Sequence, residues 1–540
     1  MRDLPQAYLN RMERLLGTSF RAFLNSYEEA PQKGLRFNLK KARSETVKEL
    51  VSAWHLKAVP ECGAGYYYAE NGPHAVRPGK SPYHDAGVFY IQEPSAMLPA
   101  EKAQIRQGER VLDLCAAPGG KSTQAAQNAG LLISNEYVKK RAQILSSNIE
   151  RMGCSNVIVT SASAEALAQV FPLYFDCILV DAPCSGEGMM RRDEIAVTEW
   201  SEENVRLCAE RQQEILSAAV QMLRPGGRLV YSTCTFEPME NGLQTEALLS
   251  RFAELRLLSE EQVFPHCAFG EGHYCAVFVR AGGTAAVRGD VLTDGAGADS
   301  AALLTGDAGS AGRTSAPASE KEAACASKEC ALELEFAAEH LRHARIPIVR
   351  CGVERGDYLV GKHRGEMRYE PSHAEALALS VKELSDWRAD LLTEEAALCY
   401  LRGESLSLQE LPETAYALYL LEEKNGKPET EMCGKKFGAD APEYAKKAFG
   451  AETLGYVKKA SGAKRLGHAK KAFGAQISGA APQRDRNGWK QGNLQAADSK
   501  KAARESGFIP VCFDGYPLGW GKLVGKTLKN HYPKGLRRLS

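Results

Sequence analysis

Val111-Leu112-Asp113-Leu114-Cys115-Ala116-Ala117-Pro118-Gly119-Gly120-Lys121 is the stretch that decides the fold of this chain. Its apolar opening reads as a buried strand, Ala116 to Gly120 as a Gly-rich turn, and Ser122 to Asn128 as the start of a helix. Small residues in such a turn let the backbone approach a ligand, and free N–H groups at a helix N-terminus favour an anion such as a carboxylate. A second apolar run, Leu131-Leu132-Ile133-Ser134-Asn135, ends at Glu136. An acid roughly 20 residues beyond the glycines has the spacing of a carboxylate that binds ribose hydroxyls in dinucleotide folds. The turn has neither G-x-G-x-x-G nor G-x-x-x-x-G-K-[ST] spacing. A nucleoside-type cofactor is therefore expected rather than a diphosphate. The bland alternative is an ordinary strand-to-helix turn, and Glu136 weighs against it. Further strand-like runs at Val157–Thr160, Cys177–Val180 and Arg228–Tyr231 alternate with helical segments such as Asn204–Leu223. That alternation predicts an α/β fold with a doubly wound, mostly parallel sheet.

Two cysteines come just after two of these runs. Asp181-Ala182-Pro183-Cys184-Ser185-Gly186-Glu187-Gly188 succeeds Cys177–Val180, and Ser232-Thr233-Cys234-Thr235 succeeds Arg228–Tyr231. In an open α/β sheet, ligands and chemistry gather at the carboxyl ends of the strands. Adjacent parallel strands lie about 4.8 Å apart, so if these two are neighbours both sulfurs reach one pocket. A pair of thiols suits a reaction in which one forms a covalent bond and the other helps to break it. Most free cysteines are instead buried as small hydrophobes, and Cys154, Cys177 and Cys208 read that way. With 15 Cys in 540 residues, a chosen position carries one about 3% of the time. Two at matching strand ends would be a rare accident. Cys325 and Cys330 lie in a polar stretch without a second pair, so no metal is expected. Pro183-Cys184 lacks the C-x-x-C and His-x-Glu of base deaminases. The Asp/Asn-Pro-Pro-aromatic signature of amino-group methylation is absent too.

A chain of 540 residues with 44% hydrophobic content should hold about three domains with real cores. Met1-Arg2-Asp3-Leu4-Pro5 opens no apolar signal run, and no stretch approaches the length of a membrane span. Cysteines that are odd in number and unpatterned point to a reducing cytoplasm. The net charge is only +1, so any nucleic-acid affinity has to come from local patches.

Residues 1–100 mix helix, over Tyr8–Leu16 and Phe20–Tyr27, with short strands around Leu35-Arg36-Phe37-Asn38. Tyr66-Tyr67-Tyr68 and Phe89-Tyr90 can stack on unpaired bases, although aromatic clusters are more often core. Gln92–Met97 leads into a catalytic domain expected over 101–281. Residues 282–345 read as a flexible linker, rich in Ala, Gly, Ser and Asp up to about 335. An ordered module is expected over 346–420 and 506–540, interrupted by a low-complexity insertion at 421–505. Within it Lys446-Lys447-Ala448-Phe449-Gly450-Ala451 recurs, with changes, every 12 residues at Lys458 and Lys470. Gly434 to Glu505 carries 16 Lys/Arg against 6 Asp/Glu. The insertion reads either as a basic arm for RNA phosphates or as a tolerated expansion in a surface loop.

Together, Asp113–Lys121, Asp181–Gly188 and Tyr231-Ser232-Thr233-Cys234-Thr235-Phe236 resemble the Sun-type RNA cytosine-5 methyltransferases, and among them the bacterial RsmF-like rRNA enzymes. The resemblance spans residues 1–280, 345–405 and the extreme C-terminus. It implies a Rossmann-like doubly wound methyltransferase sheet, a small α+β N-terminal RNA-binding domain and a C-terminal PUA-like RNA-binding domain. The strands of that last domain would pair across the insertion. The implied cofactor is S-adenosylmethionine, held by Cys115, Ala116, Ala117, Pro118, Gly119, Gly120 and Lys121, by Glu136 and by Asp181. Many relatives carry a further acid after the third strand. Here that region reads Thr160-Ser161-Ala162-Ser163-Ala164-Glu165, which leaves Ser163 as the adenine-side candidate.

Cytosine C5 is a poor nucleophile until something adds to C6, and a thiolate does this well. The resemblance assigns that attack to Cys234 and the later elimination to Cys184, with Asp181 at the N3/N4 edge of the base. DNA-type enzymes use the Pro-Cys cysteine as nucleophile, so exchanged roles stay open. Lys121 points from the cofactor loop toward the same space. Arg36 and Asn38 resemble the family's N-terminal RNA-contacting element, or else form a solvated strand. Glu240-Asn241-Gly242 departs from the family's usual acidic ending, with little catalytic consequence expected. The expected substrate is cytidine in small-subunit (16S) rRNA, methylated by a cytoplasmic monomer with no membrane partner. A tRNA is the alternative substrate. A non-catalytic ribosome-assembly factor would show a decayed thiol pair or cofactor loop, and both are intact.

Overall fold

The computed structural model describes residues 4–267, 270–282, 320–351, 357–363, 366–371, 373–379, 388–407, 416–419, 421–424, 427–432, 435–437, 490–493, 508–524 and 527–538. They form two compact units, Met1–Val353 and Glu354–Ser540.

The first unit opens with α1 (Gln6–Leu16) and α2 (Phe20–Ser26). Next come β1 (Gly34–Phe37), α3 (Ser44–Ala53), β2 (Lys57–Ala58), β3 (Gly65–Tyr67), α4 (Pro82–Asp85) and β4 (Phe89–Ile91). The strands make an antiparallel sheet in the order β2-β3-β1-β4. In α1, Tyr8 and Met12 are one helical turn apart and both buried. They cluster with Phe23 of α2 and with Trp200 and Phe236 from further along the chain.

The chain continues with α5 (Leu98–Lys102), β5 (Arg110–Asp113), α6 (Gly120–Ala125), β6 (Leu131–Asn135), α7 (Lys139–Arg151), β7 (Val157–Thr160), α8 (Ala164–Val170) and β8 (Phe175–Asp181). The unit ends with α9 (Glu194–Thr198), α10 (Glu202–Met222), β9 (Leu223–Thr233), α11 (Gly242–Arg251), β10 (Leu255–Val263), β11 (His273–Arg280) and β12 (Ile348–Cys351). The sheet has eight strands in the order β10-β11-β9-β8-β5-β6-β7-β12. The five central strands are parallel and the outer ones antiparallel. This is the doubly wound sheet expected from the alternation. In β8, Cys177 and Leu179 pack into one core cluster and Ile178 and Val180 into the other. That two-period split explains why the strand reads as continuously apolar: helices cover both faces. The chain order reverses between β5 and β8, the position at which open α/β sheets bind ligands.

Two sequence expectations change here. Residues 320–345 are not linker, because a helix runs from Glu320 to His343. It buries Ala337, Ala338 and Leu341 in the sheet's core, and Tyr174 donates a hydrogen bond of 2.9 Å to Glu333. Residues 346–351 belong to this sheet rather than to a C-terminal module, since β12 covers the edge of β7. An uncovered edge strand presents unpaired backbone groups, and β12 supplies the partner. Residues 283–319 lie outside the described residues.

Arg36 and Asn38 are also corrected. β1 is an inner strand and both side chains are buried, so neither is an RNA contact or part of a solvated strand. Arg36 donates to Gln92 Oε1 at 3.2 Å, to the Gly120 carbonyl at 3.0 Å and to Thr123 Oγ1 at 2.8 Å. Asn38 donates to the carbonyls of Gly87 and Met152. Arg36 joins the N-terminal sheet to α6, and Asn38 joins it to the end of α7. Arg36→Met should therefore lower stability by about 2 kcal/mol, the scale of charge-assisted hydrogen bonds lost from a buried site. The urea-unfolding midpoint reads this. An RNA-contacting residue would leave the midpoint unchanged.

In the second unit, strand Arg388–Leu391 runs parallel to Phe508–Phe513, which forms a hairpin with Tyr516–Val524. Thr527–Asn530 and Leu406–Ser407 extend this six-stranded sheet on one side, and Tyr416–Tyr419 on the other. Strands on the two sides of the insertion thus pair. Tyr400 donates to the Trp520 carbonyl at 3.0 Å across the same core. The insertion is not without structure at its ends. Leu421–Lys424, Lys427–Met432 and Lys435–Phe437 make a small sheet, and Lys490–Asn493 pairs with Asp357–His363. The repeats at 446–475 lie outside the described residues. Among the described residues no helix is long and apolar enough to cross a membrane.

Candidate active site

β8 and β9 are parallel neighbours with Asp181 opposite Ser232, so the loops at their carboxyl ends leave the sheet side by side. Cys184 and Cys234 consequently meet, with their Sγ atoms 3.3 Å apart. The loops are laced together. Gly188 N donates to the Cys234 carbonyl at 2.8 Å, and the hydroxyls of Ser185 and Thr235 are 2.8 Å apart. A Cβ on Gly188 would lie 2.8 Å from the Gly272 carbonyl and 3.0 Å from that of Cys234. Only glycine permits this approach. The hydrogen bond to Cys234, together with burial, raises the Cys184 pKa well above the ordinary thiol value. Either sulfur of the pair can be the donor of this contact.

Two donors reach Asp181, and His273 stands beside it. Its Oδ2 lies 2.8 Å from Lys121 Nζ. Its Oδ1 accepts from Ser232 Oγ at 2.8 Å and lies 3.5 Å from His273 Nε2. Burial pushes this carboxyl upward, but the Lys121 charge and these contacts outweigh it and hold Asp181 well below the usual carboxylate range. Burial pulls Lys121 down, and Asp181 more than restores it. The two form a charged pair.

A cavity of about 330 Å³ is lined by Asp113, Cys115, Ala116, Ala117, Pro118, Gly120, Lys121, Asp181 and Cys234. His273, Arg192 and the N-terminal Tyr68, Tyr90, Gln92 and Glu93 complete its wall. Asp113 is fully buried and its Oδ2 accepts from Ser122 Oγ at 2.7 Å, while Oδ1 has no hydrogen-bond partner. Burial pushes Asp113 up to about 7. Gly119 sits at φ +113°, and a Cβ there would be 3.0 Å from Leu145.

Glu136, Ser163 and Cys184 are not among the cavity's lining residues. Glu136 comes directly after β6 and accepts from Val138 N at 2.9 Å. Arg141 links it to the cofactor loop, lying 3.4 Å from the Glu136 carboxylate and donating to the Ala117 carbonyl at 3.0 Å. Ser163 caps α8, accepting from Ala166 N at 3.3 Å. Among the described residues no group of three or more His, Cys, Asp or Glu could hold a metal ion.

Several supporting residues carry no sequence signal. His273 belongs to no motif, and only the antiparallel strand β11, paired with β9, brings it to Asp181. Glu187 accepts from Arg11 at 2.6 Å, from Trp200 Nε1 at 2.8 Å and from Phe236 N at 3.1 Å. It thereby ties the Cys184 loop to the Cys234 loop. Arg11 also pairs with Glu237. Glu240 is fully buried and accepts from Ser185 N at 2.9 Å and Gln212 Nε2 at 3.0 Å. It supports the Cys184 loop directly, where little consequence was expected. Burial pushes its carboxyl up to about 7.

A model of the 16S rRNA methyltransferase RsmB/F family matches residues 102–280 of this chain. The N-terminal domain of 16S rRNA methyltransferase RsmF matches 4–94, and the methyltransferase RsmF PUA domain matches 486–538. The chain belongs to the RsmF-type methyltransferase family. It is 39% identical over 259 residues to the ribosomal RNA small subunit methyltransferase F of Klebsiella pneumoniae (strain 342), covering 46% of this chain and 54% of that protein. With the same-named protein of Aeromonas salmonicida (strain A449) identity is 38% over 275 residues, covering 49% and 58%. The chain thus spans a little over half the length of these curated relatives. A methyltransferase homolog from Pyrococcus horikoshii has a crystal structure with 25% identity and a TM-score of 0.46, covering 52% of this chain and 96% of that one.

S-adenosylmethionine, the cofactor of this family, fits the residues present. The cavity offers the unpartnered oxygen of Asp113 and the ionised Asp181 to a molecule with two positive centres, an ammonium and a sulfonium. Gly119, at φ +113°, lets the turn pass close to Leu145 and does not line the cavity, whereas Gly120 does.

Proposed function

We propose that this protein is a cytoplasmic, monomeric RNA cytosine-C5 methyltransferase acting on cytidine in small-subunit rRNA. The observation that carries this reading is the pair of sulfurs 3.3 Å apart beside a cavity that Cys234 shares with the cofactor loop. Cys115 to Lys121, Glu136 and Asp181 would hold S-adenosylmethionine. Ser163 stays a candidate for the adenine side, since its hydroxyl accepts a single bond as a helix cap and keeps its O–H free to donate. When bound, the cofactor supplies an electrophilic methyl group to C5.

The remaining steps belong to the protein's own side chains. The Cys234 sulfur bonds to C6 and drives the ring's electrons toward C5. Asp181, ionised, accepts from the exocyclic N4 amino group, and its charge favours a proton at N3. The charged Lys121 Nζ is the nearest proton store, 2.8 Å from Asp181. A water molecule then carries off the C5 proton, the C6–S bond breaks with its electrons leaving on the Cys234 sulfur, and Cys184, 3.3 Å from that sulfur, assists its departure. The target base has to be unpaired or flipped out, since C6 is attacked from the ring face. The names of the curated relatives favour rRNA over tRNA.

The test is Cys184→Ala, expressed in its native cell and purified under denaturing conditions. RNA covalently attached through Cys234 is expected, and sequencing it identifies the target. The reading fails if no adduct forms and deletion of the gene leaves cellular cytosine methylation unchanged.

A further inference from the structure

A second groove, of about 490 Å³, lies beside the reaction cavity. Its walls include Pro31, Gln32, Tyr67 and Asn71, and it shares Lys33 and Tyr68 with the reaction cavity. That volume is within the range of sites that enclose small organic ligands. Tyr67 is packed against Val59, Cys62 and Met97, whereas Tyr68 stays partly exposed at the junction of the two spaces. The junction is also cationic. Lys33 stands on it, and Arg192 lines the reaction cavity alongside Tyr68. Lys33 lies 3.5 Å from Glu70, but both side chains are substantially exposed, and such a pair is weak enough for a phosphate to displace.

A cytidine seated between Cys234 and Asp181 stays attached to its neighbours through single phosphates. The neighbour that leaves the reaction cavity on the N-terminal-domain side has to pass Lys33 and Tyr68. Aromatic faces beside cations are how proteins hold successive bases of a single strand. We propose that this groove is a second base subsite, in which the nucleotide adjoining the target cytidine stacks on Tyr68 while Lys33 and Arg192 face the connecting phosphate. The inference rests on the RNA cytosine methyltransferase reading above.

The test is equilibrium binding of a labelled single-stranded pentaribonucleotide with a central cytidine, in wild type, Tyr68→Phe and Tyr68→Ala. Tyr68→Phe should bind within about twofold of wild type, since stacking needs only the ring. Tyr68→Ala should bind about 5- to 100-fold more weakly, the scale of one base–aromatic stack. With abasic sites on both sides of the cytidine, the difference between wild type and Tyr68→Ala should disappear. The subsite is overturned if Tyr68→Ala binds like wild type, or if its deficit persists on the abasic RNA. Methyl transfer to undermethylated ribosomal subunits, run in parallel, reports on the parent reading. A stacking-dependent binding signal without transfer would keep the subsite and overturn the methyltransferase.

Discussion

Cys234→Ala is expected to lower methyl transfer by about 10⁴-fold or more, the scale seen when a covalent nucleophile is removed, with cofactor affinity within about threefold of wild type. The sulfur is the only atom lost. The backbone contact from Gly188 to the Cys234 carbonyl and the Ser185–Thr235 hydrogen bond remain, so the loop that frames the cavity keeps its shape. Isothermal titration with the cofactor and radiolabelled methyl incorporation separate the two effects. The same variant carries a second signature. Cys184 is raised first by its hydrogen bond to Cys234 and then by burial, so deleting Cys234 removes the larger cause. Alkylation of Cys184 near pH 8 should become faster. If the roles of the two cysteines were exchanged, Cys234→Ala would instead accumulate an RNA adduct through Cys184, and the assignment would be wrong.

Arg11→Met should destabilise the protein by about 3–5 kcal/mol and lower the rate of single-turnover transfer by about 10- to 100-fold, with KM for RNA little changed. Arg11 lies against the Tyr8 and Trp200 rings and reaches both Glu187 and Glu237. Glu187 has no exposed side-chain surface, and removing one partner of a buried ion pair strands the other charge. The stranded carboxylate is the group that joins the two cysteine loops through Phe236 N and Trp200, so the distance between the sulfurs should loosen with it. Burial already raises Glu187 above its ordinary value. In the variant the deficit should be largest above that raised pKa and shrink as acid protonates the side chain. Denaturant titrations at several pH values read this directly. A residue of α1 that only touched RNA would raise KM and leave stability unchanged.

The placement of the candidate site was legible because each candidate group sits at or a few residues beyond the end of an apolar strand. Asp113, Asp181 and Ser232 occupy matching ends of β5, β8 and β9, and parallel pairing brings the loop after each of them to one edge. Lys121, Cys184 and Cys234 come with that edge. Glu136 was legible by the same logic as the residue after β6. Ser163 holds the expected position after β7, but a serine before a helix is more readily a cap than a ligand.

The domain borders were less legible because composition hides packing. The Ala-rich stretch before His343 looks like linker, yet Ala337, Ala338 and Leu341 fall on one helix face and fill the sheet's core. Sequence by itself determined the parallel sheet, the meeting of the two cysteines, the Gly-rich turn and the family, since these depend on short periodic runs and motifs. Only tertiary structure decided where the charges went. Arg36 reaches residues 84 and 87 positions away, Arg11 residues 176 and 226 away, and His273 meets Asp181 through an antiparallel strand next to β9. A buried charge is tolerated only where partners converge on it, and that convergence is a property of the folded chain rather than of any local segment.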